Sequence, residues 1–154
     1  MMNGLEFVYD RTQADVDRVK EFYNIGWNGL TEAQKAEWLS GMKGCLNTAD
    51  LFRIENNLYA LSQLLKVELQ TNKDSIPDIP SVSYFEQLLA NVEALRATGF
   101  VYMTTPEIPE NPINTYQKVN DIERILRDIY SVYVANNTSC IYCGENYAGE
   151  YGLI

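Results

Sequence analysis

The chain has 154 residues, 46% of them apolar and 21% charged; 12 basic against 21 acidic side chains give a formal net charge of −9, and there is no histidine. That length and balance suit one globular domain, and the missing histidine excludes histidine-dependent triads, HExxH metalloproteases, Cys₂His₂ zinc sites and haem on a proximal histidine. The acidic excess argues against a protein that grips a phosphate backbone through a wide basic face.

In chain order, the opening MMNGLEFVYD has neither the basic nor the apolar region of a signal peptide, so synthesis in the cytoplasm is expected. A first helix is predicted from Thr12, its cap, to about Tyr23, with Val16, Val19, Phe22 and Tyr23 on one face and Gly26 as the stop. Thr31 and Gln34 have capping-box spacing and open a second helix that ends near Gly41. A third starts at Asn47 or Thr48 and extends to Leu69. Ser83, with Glu86 three residues on, opens a fourth that closes at Gly99, and a fifth follows Asn114 to about Asn136.

The last three helices share a period. Leu51, Ile54, Leu58, Leu61 and Leu65 recur at steps of three and four, as do Phe85, Leu88, Val92 and Leu95. Val119, Ile122, Leu126, Ile129 and Tyr133 repeat the pattern. Such stripes pack side by side at shallow angles, so an intramolecular bundle is expected, with a coiled coil to a neighbouring subunit as the alternative. The most apolar stretch, Leu58 to Leu69, is interrupted by Ser62, Gln63, Lys66 and Glu68, well short of the ~20 apolar residues that a membrane span needs.

Residues 71–113 carry two basic and six acidic side chains, a net −4, and hold all five prolines. Pro106, Pro109 and Pro112 recur every third residue, which favours an extended segment. It reads either as a stiff crossover between helices four and five or as a strap on another subunit. From residue 138 the helical period stops, and Gly144, Gly149 and Gly152 alternate with Tyr142, Tyr147 and Tyr151. This predicts a short β-like arm that either folds back or pairs with a neighbour. The predicted organisation is therefore a mainly α bundle of about five helices over residues 1–137, with 12–69 and 83–136 as its two parts, and an arm over 138–154.

No constellation carries chemistry. Cys140 and Cys143 form a CxxC, but a zinc set needs four ligands and only Cys45 is left. No phosphate-binding glycine loop is present, and no nucleophile–base pair can be assembled. The expectation is thus no enzyme, no cofactor and no metal. Trp27 and Trp38 flank the second cap and read as core anchors, with an interface role the alternative.

The N-terminal third supplies more. The run Tyr9-Asp10-Arg11-Thr12-Gln13-Ala14-Asp15-Val16-Asp17-Arg18-Val19 is followed by Gly26-Trp27, Leu30-Thr31-Glu32 and Glu37-Trp38-Leu39-Ser40-Gly41-Met42-Lys43-Gly44. Asn47 and Asp50-Leu51-Phe52-Arg53 close the pattern, and the ending Gly144-Glu145-Asn146-Tyr147-Ala148-Gly149-Glu150 accompanies it. These segments resemble ones in tail, baseplate or fibre-associated structural proteins of phages and prophages of Gram-positive bacteria.

The resemblance implies a multi-copy virion part acting by subunit assembly, an adaptor at the baseplate or fibre attachment point. Its partners would be other virion or tail proteins, with no nucleic acid and no membrane insertion. Arg11, Thr12, Trp38, Gly44, Asn47, Asp50 and Arg53 become the structural motif, and the two arginines are expected to clasp this corner through acidic neighbours, Asp10 and Asp50. Tyr142, Tyr147, Tyr151, Leu153, Ile154 and Trp27 become the interface candidates. Alternatives are a module that binds host-surface saccharide and a cytoplasmic tail-assembly chaperone.

Overall fold

The computed structural model describes residues 5–145, with side chains through residue 137. It is mainly helical, with α1 (Gln13–Ile25), a 3-10 turn (Trp27–Gly29), α2 (Glu32–Leu39), α3 (Thr48–Leu65), α4 (Val82–Arg96) and α5 (Tyr116–Glu145), and no strand among the described residues. The predicted caps at Thr12 and Thr31 both form. Asp15 N–H donates to Thr12 Oγ1 (3.3 Å) and Gln34 N–H to Thr31 Oγ1 (3.2 Å), and each N3 side chain returns the bond to the cap backbone.

α3, α4 and α5 pack with their stripes inward. Leu51, Ile54, Leu58, Leu61, Leu88, Val92, Leu95, Ile122, Leu126 and Ile129 are buried, and Ile125 joins them. All three helices run in the same direction. Tyr84 in the first turn of α4 lies against Glu55, near which Asn72 also sits, whereas Asn91, further along α4, donates to Gln70 O on the segment running back from the end of α3 (3.0 Å). Asn111 donates to Val82 O where α4 begins (3.1 Å), and Phe100 past its end meets the Tyr133 ring edge-on.

Parallel neighbours require connections that travel back the length of a helix. Extended chain rises ~3.1 Å per residue against ~1.5 Å in a helix, so proline-rich segments do this economically. Residues 99–115 take the crossover role, with Phe100, Val101, Ile108 and Ile113 packed on the core. Thr105 Oγ1, buried, donates to Asp128 Oδ2 on α5 (2.8 Å). Residues 5–11 return antiparallel to α3 and α5: Glu6 O accepts from Asn57 Nδ2 (2.8 Å), Phe7 meets the Tyr130 ring, and Arg11 lies beside Asn120.

Several boundaries differ from the sequence reading. α3 stops at Leu65, where Lys66 adopts a left-handed conformation (φ 56°) and Val67 N–H closes onto Ser62 O (3.0 Å). Beyond it Val67 and Leu69 pack on the core at alternate positions, an extended period and not a helical one. α4 is capped by Ser81, not Ser83, and that register buries Tyr84. α5 continues to Glu145, so a β-like arm does not begin at residue 138; no glycine or proline interrupts the sequence before Gly144. The rest of the expected arm lies outside the described residues.

The first two helices form a separate corner. Phe22, Leu30 and Met42 make its buried centre, with Val19 and Trp38 against it, compared with twelve buried residues in the bundle. Tyr23 does not share the inner face of α1; it is 79% exposed. So small a cluster leaves the corner dependent on how it is fastened to the bundle.

Candidate functional site

That fastening lies where residues 8–11, the first turns of α3 and the first turns of α5 meet. Glu123, fully buried, accepts four hydrogen bonds, which fills the capacity of a carboxylate. They come from Val8 N–H (3.0 Å), Arg11 Nη1 (3.0 Å), Arg53 Nε (3.0 Å) and Arg53 Nη2 (2.7 Å). Asp50 Oδ1 accepts from Arg53 Nη1 (2.9 Å) and lies 3.4 Å from Arg11 Nη2. Arg11 Nη1 also donates to Val8 O (2.7 Å). Two guanidinium groups thus face two carboxylates. Burial pulls the Arg53 pKa down, but its bonds to Glu123 and Asp50 outweigh that, and the net shift is upward.

Asn120 completes the joint. Its Oδ1 accepts from Arg11 N–H (3.2 Å) and its Nδ2 donates to Arg11 O (2.9 Å), so one side chain satisfies both backbone groups of an otherwise unpaired extended residue. Asp50 Oδ2 accepts from Asn47 N–H (2.9 Å), and Asn47 Nδ2 donates to Met42 O (3.0 Å), tying the loop to α3. Gly44 packs directly on the α1 backbone: a β-carbon there would overlap the Asp15 carbonyl.

The expected clasp is therefore present in part. Arg11, Asn47, Asp50 and Arg53 converge, Thr12 caps the helix that leaves the joint, and Trp38 anchors the corner cluster. Asp10 is elsewhere: it pairs with Lys43 (2.8 Å), whose hydrogen bond holds its carboxyl below the usual range. Glu123 and Asn120 were not legible, because they sit more than a hundred residues from Arg11. One local sign existed: Glu123 interrupts an apolar face between Ile122 and Leu126.

Trp27 is not a core anchor. It stands 49% exposed on the 3-10 turn, with the Lys35 ammonium 5.5 Å over its ring. Tyr142 falls in α5, though its side chain lies outside the described residues, as do Tyr147, Tyr151, Leu153 and Ile154 entirely.

Beside the joint runs a groove of about 510 Å³ between the start of α1, residues 44–46 and the start of α5. Val16, Leu46, Ile113, Tyr116 and Val119 give it apolar walls, while Arg11 and Lys20 are its charged members and no carboxylate lines it. The buried Nε–H of Arg11 has no acceptor. Cys45 also lines the groove; burial, then the Asp50 charge, raises its thiol pKa, which disfavours the reactive thiolate. Among the described residues no group of three or more Cys, Asp and Glu side chains could hold a metal ion, and no helix is long and apolar enough to cross a membrane.

Compared with family models, curated proteins and solved structures, the chain finds no match in any of the three.

Proposed function

We propose that the protein is a structural component of a phage tail or related contractile particle, an adaptor at the baseplate or fibre attachment point. The observation that carries this reading is the convergence of the motif. Arg11, Asn47, Asp50 and Arg53, the residues quoted for the resemblance to tail-associated proteins, meet in one buried joint, with Gly44 packed beside it. Most of their hydrogen bonds go to one another, to Glu123 and to nearby backbone, which suits fixing the angle between two bodies better than turning over a substrate. Tyr23, Trp27 and Leu39 stand out from the corner, and exposed apolar side chains of this kind are common at protein contacts.

Mass spectrometry of purified particles tests the reading. The chain is expected there in fixed, multi-copy stoichiometry with tail proteins. Its absence from particles, with presence in infected cells, would support an assembly chaperone instead. Exposed Tyr23 and Trp27 also suit a saccharide-binding surface; binding of the isolated protein to host wall glycan would favour that second reading.

A further inference from the structure

The groove beside the joint holds one charge that no carboxylate among the described residues matches, and it is positive in a molecule that is acidic as a whole. The chain carries −9, yet the charged groups lining the groove are Arg11 and Lys20. Arg11 is nine-tenths buried with its charge matched by Asp50 and Glu123, although one N–H keeps no acceptor, and Lys20 is exposed with no carboxylate at ion-pair distance among the described residues. The first turns of α1 and α5 both contribute lining residues, Gln13, Tyr116 and Gln117, and helix N-termini add partial positive charge. With apolar walls of Val16, Leu46, Ile113 and Val119, the groove suits an extended segment that joins a carboxylate to aromatic or aliphatic side chains.

The chain contains such a segment. Residues 146–154, NYAGEYGLI, hold one carboxylate, Glu150, and no basic residue, flanked by Tyr147, Tyr151, Leu153 and Ile154. It cannot reach the groove of its own molecule. The groove lies at the start of α5, and that 30-residue helix carries the chain about 45 Å away before Glu145. Nine extended residues span at most about 32 Å, and Glu150 lies only about 18 Å of extended chain beyond Glu145. We infer that the groove receives residues 146–154 of a second copy of this chain, with Glu150 set against Lys20 and the tyrosine and aliphatic side chains on the apolar walls. This rests on the assembly reading and names one of its contacts.

Charge reversal in the full-length protein, read by sedimentation velocity across micromolar concentrations, tests it. Lys20 is exposed, and circular dichroism should confirm unaltered helicity in every variant. The wild type is expected to self-associate, with Lys20→Glu and Glu150→Lys each weakening association about tenfold or more. The doubly reversed protein, and a mixture of the two single variants, should associate again. A monomeric wild type, association untouched by either reversal, or no recovery in the paired reversal would overturn the inference. The wider reading fails separately, since a protein that self-associates in this way but is missing from particles would sink only that reading.

Discussion

Arg53 grips Glu123 through two parallel hydrogen bonds, Nε to Oε1 at 3.0 Å and Nη2 to Oε2 at 2.7 Å, across seventy residues of chain. The planar fork of a guanidinium matches a carboxylate in this way, and the ammonium of lysine does not. Since Glu123 also holds Arg11 and Val8, one buried carboxylate fastens three segments.

Removing that carboxylate leaves Arg11 and Arg53 sharing Asp50 alone in a desolvated site. Glu123→Ala should therefore cost about 3–5 kcal/mol, the range found when one partner of a buried ion pair is lost. Glu37→Gln, which breaks the exposed pair with Arg18, should leave the denaturation midpoint unmoved. Urea titrations of the two variants side by side check the contrast; equal effects would remove the joint from its central place.

Gly44→Ala tests the contact between the loop and α1. The added methyl group meets the Asp15 carbonyl, a backbone atom that cannot rotate away. A loss of about 1–3 kcal/mol is expected, as for other overpacked sites. Thermal melting reads it, and hydrogen exchange should show α1 opening more readily than α4.

Glu55 sets a pH dependence. It is fully buried; Oε2 accepts from Asn72 N–H (3.1 Å) and lies 3.4 Å from the Tyr84 hydroxyl, while Oε1 has no partner. Burial raises its pKa, against smaller opposing effects of those hydrogen bonds. The folded state thus holds this proton more tightly than the unfolded chain. Its contribution to stability is complete below the ordinary carboxylate range and declines as pH rises through the elevated folded value. Glu55→Gln should flatten this decline and make the protein more stable than wild type at neutral pH. Denaturation midpoints measured over acidic to neutral pH test the sign; parallel curves for the two proteins would refute it.

Truncation after Glu145 separates folding from assembly. Every core and joint residue among the described ones precedes that point, so helicity and melting temperature should match the full-length protein. Incorporation into particles should be lost. Normal incorporation of the truncated chain, quantified by mass spectrometry, would deny the terminal segment any role in assembly.

Local features carried most of the sequence reading. Thr12, Thr31 and Asn47 announced helix starts because a cap acts over three or four residues, and the stripes of α3 and α5 named most of the core. Where two local signals competed, tertiary packing decided. Ser83 with Glu86 looked like the better capping box, yet Ser81 is the cap because that register buries Tyr84 against Glu55. Trp27 looked like core by residue type, but the turn between Gly26 and Gly29 turns it outward and Lys35 covers its ring. The pairing of Arg53 with Asp50 was visible in outline, since the two are neighbours in one motif, whereas Arg11 pairs with Asp50 and not with the adjacent Asp10, which Lys43 takes. Glu123 and Asn120 were not visible, for a contact between distant segments leaves no periodicity in either.

The antiparallel course of residues 5–11 along α5 has a mechanical meaning. Tension entering at the far end of α5 and leaving through the α1–α2 corner would pull these two segments in opposite directions. The bonds from Val8 and Arg11 to Glu123 and Asn120 lie across that pull, so they are loaded in shear and must yield together, not one at a time. In a particle that contracts, such a joint would transmit force along α5 without letting the corner peel away.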